Sequence, residues 1–302
     1  MADGRGRGGS AAFGRAFLTV AGAVYVLLAV GWCSLIGSLP VVVMWILVPD
    51  LQYYPLWCLA LALSAPGFAA LFAVFRDQPT LLSHLSLRRA AASLHKGSMP
   101  DWIADAYVPF DRSYALFRPY LRAYGALFIR ALLQGLTYGL LLFIALYDAQ
   151  IVTQVPQVRF MSPLFLVCAV FLLQAAVISL ILVVEYPKAR WLSVLKNGVM
   201  LSVRRIYIVP LAWIALLGYW WGLQQGPVLV ALLATGITAY LVWASARWQA
   251  DLLLVKLAQE SGDASLIAMY PGDGKQPQCS VFSSMTDTHP LPYAYRSVFV
   301  GI

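Results

Sequence analysis

The chain has 302 residues, of which 61% are hydrophobic and only 11% are charged, whereas soluble globular proteins average about 25% charged residues. Long stretches carry no charge at all, a pattern that excludes an ordinary soluble domain and predicts an integral membrane protein, because lipid does not solvate charged groups. We attribute the net charge of +8 to topology and lipid headgroups, not to nucleic acid, because no basic stretch forms a soluble domain of its own.

The chain divides by composition into three parts. Residues 1–15 are basic and glycine-rich and are predicted to be a flexible cytoplasmic N-terminus. The predicted transmembrane domain covers 16–248, and 249–302 is predicted to be a partly disordered cytoplasmic tail that begins as a helix as far as about Glu260. The first apolar run is longer than the core of a cleavable signal peptide, so we interpret it as an uncleaved span.

Six apolar runs follow one another, each near the roughly 20 residues that a helix needs to cross a bilayer. The runs are continuous and not alternating, which favours helices over barrel strands. The predicted spans are 16–39, 55–75, 126–147, 163–184, 206–223 and 227–246. The predicted fold is therefore all-α, a polytopic membrane helix bundle. The apolar segment 41–48 follows Pro40 and either extends the first span or lies at the outer surface.

The distribution of Lys and Arg predicts the orientation. Of the 21 such residues, 19 lie in the two termini and in the second and fourth connections. Only Arg159 lies in an outer connection, and Arg130 lies within the third span, where its long side chain can reach the interface. Because the basic side of a membrane protein is cytoplasmic, we expect a multi-pass protein with both termini in the cytoplasm.

The two long inner connections each contain a basic amphipathic pattern that leads into a span. One begins near Asp111 and the other covers 191–205. They predict two amphipathic cytoplasmic helices, and the two hairpins that carry them look like an internal repeat. The helices are interpreted either as interfacial anchors or as a docking surface for a partner protein. The candidate docking residues are Arg118, Arg122, Lys196, Arg204 and Arg205.

Two polar residues fall within or at the end of the fourth span. Gln174 is predicted to bond to a neighbouring helix, because a buried amide seeks a partner. Glu185 either lies in the headgroup layer at the end of the span or acts as a gate or as a link to Lys188 or Arg190.

The sequence offers no constellation for catalysis or metal binding. The three histidines, His84, His95 and His289, are scattered, and the four cysteines form no CxxC pair. No nucleophile–base pair can be assembled from the spans. The chain is therefore predicted to be non-enzymatic and to use no cofactor and no metal.

Three short segments carry a resemblance to a known family. A tryptophan-containing first span ends in Leu39-Pro40-Val41-Val42, an aromatic-rich helix covers 114–124, and Lys196-Asn197-Gly198 lies in a basic helix. Over 13–248 the chain resembles the YesL-like family, bacterial integral membrane proteins that form a domain of unknown function. The resemblance implies a location in the bacterial cytoplasmic membrane.

Members of that family commonly accompany ABC-type carbohydrate importers. The resemblance therefore implies that the chain is a non-catalytic accessory component of such an importer, with importer subunits and the lipid bilayer as partners. Two alternatives stay open, a transporter in its own right and a membrane scaffold or regulator unrelated to sugars.

Overall fold

A computed structural model describes residues 7–48, 50–78, 106–108, 116–261, 267 and 270. The regular structure in these residues is helical, with single 3₁₀ turns before three of the helices. The eight α-helices of the described ranges are α1 (Arg7–Gly37), α2 (Leu39–Leu47), α3 (Tyr54–Asp77), α4 (Phe117–Gln154), α5 (Ser162–Glu185), α6 (Trp191–Arg204), α7 (Val209–Gln225) and α8 (Pro227–Ser261).

Among the residues that the structure describes, six helices are long and apolar enough to cross a membrane, and each of them overlaps one of the six predicted spans. They are α1, α3, α4, α5, α7 and α8. The prediction of an all-α membrane bundle is confirmed. At 1.5 Å per residue, α2 and α6 are roughly 14 and 21 Å long, which is too short to cross a hydrocarbon core of about 30 Å.

Proline marks the beginnings of several helices. Pro55, Pro163 and Pro210 lie in the first turns of α3, α5 and α7, and Pro227 begins α8. Proline suits this position because its fixed φ fits the helix. It lacks a backbone N–H, but an N–H in the first turn would have no intrahelical acceptor.

The segment 41–48 belongs to a separate helix and does not continue α1. Ser38 lies between α1 and α2, and its hydroxyl donates to the Ser34 carbonyl at 2.7 Å. Pro40, at the start of α2, has no N–H to continue the hydrogen-bond ladder of α1. Ile46 and Leu47 of α2 are exposed, as expected for side chains in contact with lipid or the interface.

Small residues let the helices approach closely. A Cβ on Gly135 of α4 would lie 2.5 Å from the Ala62 carbonyl oxygen of α3, and one on Gly139 would lie 3.1 Å from the Cys58 carbonyl oxygen. The Ala62 carbonyl lacks its usual helical donor, because residue 66 is proline. Between lipid-exposed helices such close packing replaces the hydrophobic effect as the source of association.

The chain divides into two units, Met1–Leu252 and Leu253–Ile302. The described part of the second unit continues α8 to Ser261, and Lys256 and Glu260 form an exposed ion pair of 3.6 Å one turn apart. The predicted helix at the start of the C-terminal segment is confirmed. Asp111, Tyr114, His84, His95, His289 and Cys279 lie outside the described residues.

Candidate functional site

Charged residues gather at one end of the bundle, which we call the basic end and define by Arg76 at the end of α3, Arg118 at the start of α4, Glu185 at the end of α5 and Arg247 of α8. Some of these charges are buried between helices and others are exposed. The two groups have different surroundings.

Arg76 and Asp77 form a buried two-point ion pair. The Arg76 Nε lies 2.7 Å from Asp77 Oδ1, and its Nη2 lies 3.0 Å from Oδ2. The remaining nitrogen, Nη1, donates to the Val184 carbonyl of α5 at 2.7 Å. Arg76 is fully buried, and a guanidinium in such a place needs this many partners because it has lost its water.

The segment 106–108 covers this pair. The backbone N–H of Tyr107 donates to Asp77 Oδ2 at 2.7 Å, and the Tyr107 ring centroid lies 5.6 Å from the Arg76 Cζ. The ring face adds a cation–π attraction to the guanidinium. The pair thus joins the ends of α3 and α5 to a segment of the second connection.

Glu185 is buried beside the first pair, with 1% of its surface exposed. Its Oε1 lies 3.6 Å from Arg247 Nε, and Arg247 Nη1 lies 3.8 Å from Asp251 one turn further along α8. The sequence placed Glu185 in the headgroup layer or beside Lys188 or Arg190. The structure instead buries it and pairs it with a residue of the last helix.

Four of the five predicted docking residues lie at the basic end on two different helices, and Arg205 follows the second of these helices directly. Arg118 and Arg122 are exposed, one turn apart on α4. Tyr120 between them is buried and donates to the Gly67 carbonyl of α3 at 3.3 Å, so this turn is anchored on the side away from the arginines. We call Arg118 and Arg122 the α4 patch.

Lys196 and Arg204 are exposed on α6 and form the α6 patch. The buried residues of α6 are Val194, Gly198, Leu201 and Ser202, a spacing that places them on one face. Gly198 seats this face on α5, since a Cβ there would overlap the Ser179 hydroxyl.

Arg205 differs from the other four candidates. It is half-buried, and its Nη1 donates to the Trp248 carbonyl of α8 at 2.8 Å. Its contact therefore holds the turn after α6 against α8. Within the described ranges, none of the five candidates makes an ion pair, in contrast to the buried Arg76 and Arg247.

The two predicted amphipathic helices have different forms. The second is α6, a separate helix with an apolar exposed side that includes Leu192, Met200 and Val203. The described part of the first begins at Phe117 and continues into the third span without a break. Its buried positions Ala123 and Leu127 pack inside the bundle, so the helix has no reason to end where the apolar run begins.

The sequence did not single out Arg76, Asp77 or Arg247 as functional. All three follow directly on the apolar runs of their spans, so hydropathy assigned them to the connections. For Arg76 and Asp77 the sequence does contain a signal, because the run Arg76-Asp77-Gln78 follows a span directly. Adjacent opposite charges at such a position can enter the bundle as a neutral pair.

Comparison with known proteins gives no relatives: no protein-family model, no curated protein and no solved structure matches the chain. The resemblance to the YesL-like family thus stays a prediction.

Proposed function

We propose that this membrane protein is a non-catalytic accessory subunit that binds an acidic surface of a partner protein through the α4 and α6 patches. One observation supports this function above the others. The cations buried at the basic end are paired with carboxylates, whereas Arg118, Arg122, Lys196 and Arg204 are exposed and have no described ion-pair partner.

The buried pairs and the exposed cations have different physical roles. A buried arginine is tolerated only with a partner, so Arg76 and Arg247 serve the stability of the bundle. Exposed arginines gain little stability from their position. Their positive charge is therefore available to lipid headgroups or to another protein.

The anchoring of both patches favours a protein partner. Tyr120 fixes the α4 patch on α3, and Gly198 fixes the α6 patch on α5. Because the backbone beneath these cations is fixed, only their side chains lose conformational freedom on binding, which suits specific pairing with carboxylates. Lipid headgroups move with the membrane and do not require fixed cations.

The partner that the family resemblance implies is an ABC-type carbohydrate importer, and we propose it as the first to test. A transporter is the second candidate function, since a cavity lies among α3, α4 and α5. A scaffold unrelated to sugars would use the same patches with a different partner.

The test is co-purification with the membrane and ATP-hydrolysing subunits of a carbohydrate importer from the same organism, in mild detergent. Two double variants, Arg118→Gln with Arg122→Gln and Lys196→Gln with Arg204→Gln, remove one patch each. The matched control is Arg159→Gln, because Arg159 is also exposed but belongs to a connection that the distribution of basic residues predicts to be on the outer side.

If a patch forms close charge pairs with the importer, loss of two cations should reduce recovery at least tenfold, since truncating one member of a desolvated charge pair costs about 2–5 kcal/mol. The control should retain wild-type recovery. If the cations only attract lipid, at about 1 kcal/mol each, all three variants should co-purify alike and the docking proposal fails. Recovery of no importer subunit by the wild type would reject that partner.

A further inference from the structure

A cavity of about 110 Å³ lies between the membrane-spanning helices α3, α4 and α5. Its lining is mostly aliphatic and includes Leu61, Ala65, Gln134, Tyr138, Leu173 and Ala176. Small residues are frequent in the lining, namely Ala62 and Ala65 on α3, Gly135 and Gly139 on α4 and Ala176 on α5.

One polar side chain in this lining lacks hydrogen-bond partners. Gln134 is 1% exposed, and neither its Oε1 nor its Nε2 has a partner among the described residues. A buried amide without partners is unfavourable, and the hydrocarbon around these helices supplies no water to satisfy it. Both atoms have almost no accessible surface in this conformation, so a molecule in the cavity reaches them only when the Gln134 side chain rotates toward it.

The other polar group in the lining is already engaged. The Tyr138 hydroxyl lies 2.7 Å from the Ser179 hydroxyl and donates to the Leu195 carbonyl at 3.2 Å. These bonds hold α4 against α5 and the start of α6. Among the described lining residues, Gln134 is therefore the one polar side chain whose hydrogen-bonding groups have no partner.

We propose that this cavity binds a small uncharged molecule that has a short alkyl body and one amide or hydroxyl group. The cavity has room for several water-sized molecules, which fits a ligand of a few non-hydrogen atoms. No charged side chain is among the described lining residues, which disfavours an ion. A primary amide complements Gln134 fully, because it both donates to Oε1 and accepts from Nε2.

The experiment uses the full chain in lipid nanodiscs with propionamide as the probe and saturation-transfer NMR as the readout, with empty nanodiscs as the blank. Gln134→Leu keeps the approximate size of the side chain and removes both hydrogen-bonding groups. Ala176→Leu fills the cavity from α5. Thr137→Val is the matched control, since the Thr137 hydroxyl bonds to the Leu133 carbonyl of its own helix and lies outside the lining.

Saturable binding to the wild type and to Thr137→Val is expected, with at least tenfold weaker binding to Gln134→Leu and to Ala176→Leu. The thermal midpoint of Gln134→Leu should be no lower than that of the wild type, because an unsatisfied buried amide is removed. If Gln134→Leu fails to fold, the comparison of Ala176→Leu with Thr137→Val decides. No saturable binding to the wild type, as for a cavity that holds only water, or equal binding to all variants overturns the proposal.

Discussion

Glu185, the last residue of α5, faces Arg247 of α8, with its Oε1 3.6 Å from the arginine Nε and both side chains buried. The two helices lie far apart in the sequence, so this ion pair joins the fourth predicted span directly to the sixth. It stands next to the bond between Arg76 and the Val184 carbonyl, one residue earlier on α5.

The first prediction concerns this pair. Arg247→Met should lower the free energy of unfolding by roughly 3–5 kcal/mol, because it removes the positive charge that Arg247 places beside the buried Glu185 carboxylate. The double variant Glu185→Met with Arg247→Met should recover most of the loss, since apolar residues need no partner. Denaturant titration in mixed micelles gives the three free energies. If the double variant loses as much free energy of unfolding as the two single substitutions together, the proposed coupling between Glu185 and Arg247 is falsified.

The second prediction concerns Arg76. Arg76→Lys should destabilise the protein by about 2 kcal/mol or more, because an ammonium does not reproduce the planar two-point contact with Asp77 and the bond to Val184 together. The matched control is Arg118→Lys at an exposed position of the same end, for which we expect no measurable change. The readout is again the free energy of unfolding. Equal behaviour of the two variants would show that the geometry at Arg76 contributes nothing.

The third prediction compares two glycines of α4. Gly135→Ala should destabilise the bundle by roughly 1–3 kcal/mol, because the new Cβ would lie 2.5 Å from the Ala62 oxygen and from the Ala65 Cβ. Gly125→Ala, which meets no atom within 4 Å, should instead stabilise the helix by about 0.5–1 kcal/mol. Both values come from the same titrations. The same sign for both substitutions would contradict close packing of α3 on α4.

The fourth prediction concerns topology. Reporter fusions at Ser10, Lys96 and Gly274 should all report the cytoplasm, and a fusion within 150–157 should report the outside, because 19 of the 21 basic residues lie on the predicted inner side. Alkaline phosphatase and green fluorescent protein fusions distinguish the two sides. If the fusions at Lys96 and within 150–157 report the same side, the third span does not cross the membrane.

Hydropathy predicted the existence of the six spans well, since lipid requires a long apolar helix whatever its neighbours are. It predicted the start of the third less well. α4 begins at Phe117, nine residues before the predicted 126, because Tyr120 and Ala123 bury one face of a helix that is polar on the other. Hydropathy averaged over a sequence window does not detect a helix that continues with only one apolar face.

The partners of buried polar residues were predictable only in part. Gln174 was expected to bond across helices, and its Nε2 donates to Gln249 Oε1 of α8 at 3.3 Å. That Gln249 supplies the bond, or that Arg247 pairs with Glu185, depends on which helices are neighbours, and six continuous apolar runs do not encode this order. Gln134 could not be identified from the sequence, because only the packing of α3 and α5 around it shows that its amide has no partner among the described residues.

α4 is one uninterrupted helix from the arginines of its patch to the wall of the cavity. Arg118 and Gln134 are 16 residues apart, roughly 24 Å along the axis. The proline between them, Pro119, lies in the first turn, where it does not interrupt the helix, so a tilt imposed on the exposed start of α4 displaces Gln134 and Tyr138 as well. Attachment of a partner at the membrane surface would then alter the width of the cavity mechanically, with no relay of side chains in between.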